Sequence, residues 1–198
     1  MELLIAVARQ LLLFAHALAF AFAIVTVIRQ DVALLMIRRI DAAKLKSTGH
    51  RIALLLGLLW ITGASLIALD ATDLRTIITA PKMATKLVVV SMLTLNGVLL
   101  HWVAFPMMTR PQARPRFAAT ICVLCGSTSF VTWLYAAFLG VGRLIAPRMD
   151  FSAFMGLYGV GLAAAIGIGV LAIRPRLESL ITPLETASSI SSQPLVKC

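Results

Sequence analysis

Five apolar runs, separated by short polar connectors, dominate the pattern of this chain: Leu11–Ile28, Ile52–Leu69, Leu87–Met108, Phe117–Gly142 and Phe151–Ile173. Each is long enough to cross a bilayer as a helix, which takes roughly 20 apolar residues. In hydrocarbon every backbone polar group must be bonded within the protein, so only helices and closed barrels span it. These runs are too long and too evenly apolar for barrel strands. The pattern predicts an all-α integral membrane bundle of five transmembrane helices, one domain over residues 1–176, with a Ser-rich, flexible cytoplasmic tail over 177–198.

Details within the runs refine this picture. Apolar positions resume at Val32–Ile37 after Arg29, Gln30 and Asp31, so the first helix is expected to reach about Arg39 with its RQD segment at the interface. The third helix is expected to start after the Pro81 connector, with Lys86 at its mouth, and to end near Pro106. It carries Asn96 and His101, and for that reason reads as the element around which the others are organised. In the fifth run Gly159, Ala163 and Gly167 form one stripe of small residues, and Gly161, Ala165 and Gly169 another. Stripes of this spacing let helices approach closely, within the bundle or in a homo-oligomer.

Composition supports the membrane reading: 60% of residues are hydrophobic and 13% charged, where soluble domains carry about 25% charged residues. A net charge of +10 raises nucleic acid as a partner, but the basic residues flank the spans, where lipid headgroups are met. The expected partner is the lipid bilayer and not nucleic acid. Arg9, Arg75, Lys82, Lys86, Arg143 and Arg148 fall on one side of a five-span chain, and the other twelve of the 18 Lys and Arg residues on the opposite side. The positive-inside rule puts the larger set in the cytoplasm of a bacterium, with the N-terminus outside the inner membrane and the C-terminus inside. The first charge is Glu2 and a basic leader is missing, so a cleaved signal peptide is not expected.

Ionisable groups within spans are costly and therefore informative. His16 lies in the outer half of the first span and Lys86 on the same side, whereas His50 and His101 share the other side. At about 100° per residue Lys86 and His101 mark the ends of one stripe along the third helix, and Asn96 points elsewhere, as an interhelical hydrogen-bonding group. Imidazole is a common axial ligand of haem, and helical bundles hold cofactors between facing helices. His16, Lys86, His101 and His50 are thus the candidate cofactor-binding residues, with His16 the candidate metal ligand and haem b the candidate cofactor. The plainer alternatives are interfacial side chains for His50, His101 and Lys86, and an interhelical hydrogen bond for His16, to hydroxyls of the fourth span. Cys122 and Cys125 match C-x-x-C, but apolar neighbours leave them inert and no His follows. No phosphate-binding loop, metallopeptidase motif or serine-nucleophile motif is present.

Two stretches carry a family resemblance: LLLFAHALAFAFAIVTVIRQDVALL, with His16, and ATKLVVVSMLTLNGVLLH, with Lys86 and His101. Over Leu11–His101 the chain resembles small bacterial membrane proteins of the copper-resistance D-type domain and the short membrane-embedded protoporphyrinogen oxidases. In those oxidases a first-helix His and a Lys opening a later helix form the functional pair, which the resemblance places on His16 and Lys86. Where they carry a Tyr-His pair after the Lys, this chain has Asn96-Gly97. Three functions stay open: a haem- or porphyrin-binding membrane protein, a protoporphyrinogen-oxidase-like enzyme using His16 and Lys86, and a small transport or assembly subunit whose fifth-helix stripes form a partner interface.

Overall fold

The computed structural model describes residues 2–36, 41–70, 74–110, 112–142 and 146–182. The long helices are α1 (Glu2–Met36), α2 (Ala42–Asp70), α4 (Pro81–Thr109), α5 (Pro115–Val141) and α6 (Phe151–Ile181), with a short α3 (Leu74–Thr79) between the second and third of them. All five long helices are apolar and long enough to span a membrane, and among the described residues there is no strand. The chain is a multi-pass, all-α membrane protein.

Helix starts and ends follow local chemistry. Pro81 stands first in α4, where a missing N–H costs nothing because that donor has no helical partner anyway. The helix therefore begins five residues before Lys86, which sits in its second turn and not at its mouth. Asp150 caps α6: its carboxylate accepts from the Ala153 backbone N–H at 2.8 Å and from the Ser152 hydroxyl. Those donors, the Ala153 amide first, hold its pKa below the usual carboxylate range. Helix α6 continues past residue 176 to Ile181, because Leu177 and Ile181 pack on Ala118 and Ala119 of α5. The remainder of the expected tail, 183–198, lies outside the described residues.

The centre of the bundle is α5, which packs against α1, α4 and α6. Its buried residues include Ala118, Ala119, Cys122, Val123, Thr132, Trp133, Tyr135 and Leu139. A helix buried on several faces needs no polar side, and its sequence is apolar all round. This differs from the expectation that the third span organises the rest. Polar residues drew attention to that span, whereas α5 is the most deeply buried of the five long helices.

On α1, Ala19, Ala23 and Val27 recur every four residues and are buried against Leu56 and Leu59 of α2, Leu93 of α4 and Trp133 of α5. The two alanines give α1 a narrow face, on which α2 packs. On α6 the two glycine stripes behave differently. A Cβ built on Gly169 would lie 2.5 Å from Ser127 Oγ and 2.8 Å from Val123 Cγ1, so this glycine marks a close approach of α6 to α5. A Cβ on Gly159 or Gly167 would meet nothing within 4 Å. The tight-packing expectation for the Gly159, Ala163 and Gly167 stripe is thus corrected: that stripe faces outward.

Polar groups tie the helices together. Asn96 Nδ2 donates to the Cys125 carbonyl at 3.0 Å, the Tyr135 hydroxyl donates to the Phe154 carbonyl at 2.6 Å, and the Thr132 and Tyr158 hydroxyls pair at 2.9 Å. Interhelical hydrogen bonds of this kind contribute about 0.6 kcal/mol each in membranes, so they fix register more than they supply stability. Outward-facing Trp102, Val141 and Leu171 are 80%, 82% and 81% exposed, which suits contact with acyl chains.

Both α4 and α6 contain a widened π-helical turn, Leu100–Ala104 and Gly169–Ile173. The amide of Phe105 reaches back five residues to the Leu100 carbonyl, and that of Arg174 to the Gly169 carbonyl. Each turn ends two residues before a proline, Pro106 or Pro175. Proline has no N–H to donate and its ring crowds the carbonyl four residues back. The extra residue per turn relieves that crowding and lets the helix pass through the proline. Hence α4 does not stop at Pro106 but runs on to Thr109.

Candidate functional site

The helices run alternately, so His16 of α1, Thr62 of α2 and Lys86 of α4 collect at one end of the bundle. Asp31, Gly49 and His101 collect at the other. Each end offers a different chemistry.

At the first end, His16 Nδ1 lies 2.8 Å from Thr62 Oγ1, and the Thr62 hydroxyl lies 2.7 Å from the Leu58 carbonyl. A hydroxyl has a single proton, and here it donates that proton to Leu58. Nδ1 of His16 must then be the donor to Thr62, which in a neutral ring leaves the lone pair on Nε2. The ring lies over Gly63, whose added Cβ would be 3.5 Å from His16 Cε1. Lys86 is exposed, and its ammonium is close enough to interact electrostatically with the His16 ring. The hydrogen-bond partner of His16 is therefore a hydroxyl of α2, not one of the fourth span as expected. On α5 the Thr132 hydroxyl is instead turned to Tyr158 of α6.

At the second end, the His101 ring rests on Gly49. An added Cβ there would lie 2.9 Å from His101 Cε1 and 2.8 Å from Phe105 Cε2. His101 and Phe105 are themselves in ring contact at 5.5 Å, and both line a crevice of about 310 Å³ with Leu45, Lys46 and Arg110. His50 is exposed. Successive helical side chains stand about 100° apart, so His50 is turned away from the face on which Gly49 meets His101. Among the described residues no group of three or more His, Cys, Asp or Glu side chains is arranged to hold a metal ion.

A larger cavity, of about 430 Å³, lies inside this second end, where all five long helices converge. Its walls come from Val27, Asp31 and Leu34 of α1, Ile52 of α2, Leu100 and Phe105 of α4, Cys122, Gly126 and Ser127 of α5, and Ala165, Gly169 and Ile173 of α6. The π turns of α4 and α6 both contribute wall residues, so the two prolines help to shape the space. Gly126 opens onto it, for a Cβ there would meet nothing within 4 Å. Ile28, Val32 and Leu35 of α1 and Ile168 of α6 line it and are also exposed, so the cavity reaches the apolar surface between α1 and α6. The size is that of a small-molecule site, and the mainly apolar wall with few polar groups is the usual make-up of one. Asp31 is the carboxylate in that wall, and its Oδ2 is buried with no hydrogen-bond partner among the described residues.

No family model, no curated protein and no solved structure matches this chain. Its chemistry rests on its own geometry. The structure brings His16 and Lys86 within electrostatic range, places His101 on the α2 backbone and leaves His50 outside that contact. Sequence reasoning missed Asp31. One signal was present: an acidic residue followed by Val32–Ile37 lies between apolar segments of one helix, and such a residue is placed either in the headgroups or inward.

Proposed function

We propose that this chain is a bacterial inner-membrane protein that binds a small, largely apolar molecule within the bundle, taken up laterally from the lipid. The carrying observation is the cavity of about 430 Å³ at the convergence of five helices, open to the lipid-facing surface between α1 and α6. Binding of 1-pyrenylmethanol, a neutral apolar probe, tests this in phosphatidylcholine nanodiscs by energy transfer from tryptophan. A saturable component above that of empty nanodiscs is expected. Simple partitioning, indistinguishable from empty nanodiscs, would refute the reading.

The topology we propose is N-terminus outside and C-terminus in the cytoplasm, on the twelve-against-six distribution of the 18 basic residues. The cavity then opens in the cytoplasmic half. Reporter fusions after Ala43, Asp73 and Thr109 should read inside, outside and inside; an inside signal at Asp73 reverses the assignment.

A second reading, haem or porphyrin at the His16 end, is favoured by one observation. The Nδ1–H of His16 is engaged by Thr62, which fixes the ring and leaves Nε2 as a potential ligand atom, an arrangement common to metal-binding histidines. The residues fit the group in type: His16 would approach the iron and Lys86 would bind a propionate. A bound haem supplies one-electron chemistry at its iron; the chain's own part is to orient the ring and neutralise a carboxylate. The large cavity has no histidine in its wall, so it is a different site. A Soret band in haem-titrated protein is expected to disappear in His16→Ala, to weaken in Lys86→Ala and to persist in His50→Ala. Loss in His50→Ala and His101→Ala, with His16→Ala unchanged, would move the site to the other end.

A further inference from the structure

We infer that the cavity selects a lipophilic ammonium: a ligand with an apolar body and one cationic N–H donor, placed against Asp31. The inference rests on the cavity-binding reading and adds the charge of the ligand. Its starting point is a carboxylate with an unanswered acceptor. Asp31 lines the cavity, and its Oδ2 is shielded from solvent without a hydrogen bond from any described residue. A buried acceptor left unpaired is costly, and a carboxylate more so than a neutral group. Around it the wall is apolar: Val27 and Leu34 on the same helix, Ile52 across from it, and Ile173 on α6.

One cationic side chain, Arg176, lines the same cavity, but it is exposed and stands three residues beyond the π turn of α6. A guanidinium in that position keeps its head in the aqueous or headgroup region while its stem covers apolar surface. Arg174, next to the wall residue Ile173, also has a buried Nε without a hydrogen bond, but it is not a wall residue; within the wall the unpartnered group is the acidic Asp31, and the basic Arg176 is exposed. An anionic amphiphile would face the carboxylate. A neutral apolar molecule would leave Oδ2 as it is. An ammonium with an apolar body answers both the charge and the lone pair, and a molecule of that kind already partitions into membranes, from which the gap between α1 and α6 gives access. Gly126, also in the wall, leaves room for the apolar body.

The experiment compares three probes of one shape on the full chain in phosphatidylcholine nanodiscs: 1-pyrenylmethylammonium, 1-pyrenylmethanol and 1-pyrenecarboxylate, each corrected with empty nanodiscs. The ammonium should bind more tightly than the alcohol by on the order of tenfold or more, the range of a hydrogen bond to a charged group. In Asp31→Asn the ammonium should fall to the level of the alcohol. Equal affinities for ammonium and alcohol in the parent protein overturn the inference while leaving the cavity reading intact. Tightest binding of the carboxylate also overturns it and assigns selection to Arg176. Absence of saturable binding for all three removes the cavity reading itself. Should Asp31→Asn fold poorly, Arg176→Gln serves in its place: the preference for the ammonium is expected to hold or to grow, and its loss would contradict the role given to Asp31.

Discussion

Gly169→Leu is expected to be strongly destabilising. At this position α6 meets α5 so closely that a bare Cβ would already lie 2.5 Å from Ser127 Oγ and 2.8 Å from Val123 Cγ1. The Ser127 hydroxyl can rotate away; the branched Val123 on the buried face of α5 has less freedom. A leucine would force the helices apart along the π turn, and overpacking of this kind costs about 1–3 kcal/mol or more. Gly169→Ala should cost less, and Ser127→Ala should recover part of that loss, the signature of two groups in contact. Gly167→Leu is the control. Two residues away, its Cβ position is open, so its melting temperature in detergent should stay close to that of the parent. A loss at Gly167 as large as that at Gly169 would mean that α6 is rotated from the orientation described.

The second large effect is on binding and not on stability. Gly126 lines the cavity and has open space at its Cβ position. In Gly126→Leu the side chain would project into that space, and saturable probe binding should be abolished. Folding should not suffer. Leucine is favoured over glycine in a helix by somewhat less than about 1 kcal/mol, and filling an apolar void adds contacts. The expected pattern is therefore loss of binding with an equal or higher melting temperature. A protein that is less stable by the amounts typical of overpacking would mean that the space is already filled.

Part of this architecture is legible in the sequence. The five spans follow from the length of the apolar runs, and the extension of α1 beyond Arg29 from the apolar residues of Val32–Ile37. Asn96 reads as an interhelical group and donates to α5. Other features are not legible, for physical reasons. In a membrane, core-facing and lipid-facing positions are both apolar, so periodicity does not say which helix is central; α5 is identified by its packing. For the same reason the two glycine stripes of α6 look alike, though Gly169 is packed and Gly167 is open. Pro106 reads as a helix end and the fifth run as ending at Ile173, but a π turn carries each helix on, through Pro106 and Pro175. The site divides in the same way. His16 and Lys86 stand out as ionisable residues in spans, and their common end follows from helix direction. Thr62, which sets the His16 tautomer, is one of several small polar residues in α2 and is distinguished only in three dimensions. Asp31 looks interfacial because its neighbours Arg29 and Gln30 are polar, yet the helix turns its Oδ2 inward.

The most direct measurement is photolabelling of the nanodisc-embedded protein with 3-(trifluoromethyl)-3-phenyldiazirine, with labelled residues mapped by mass spectrometry in the parent and in Gly126→Leu. Lipid-facing positions such as Val160 and Leu171, 70% and 81% exposed, should be labelled in both without saturation. An additional, saturable set is expected on cavity-wall residues of α1, α5 and α6, among them Leu34, Ser127 and Ile173, and should disappear in Gly126→Leu. Labelling confined to the lipid-facing positions, and identical in the two proteins, would contradict the cavity reading.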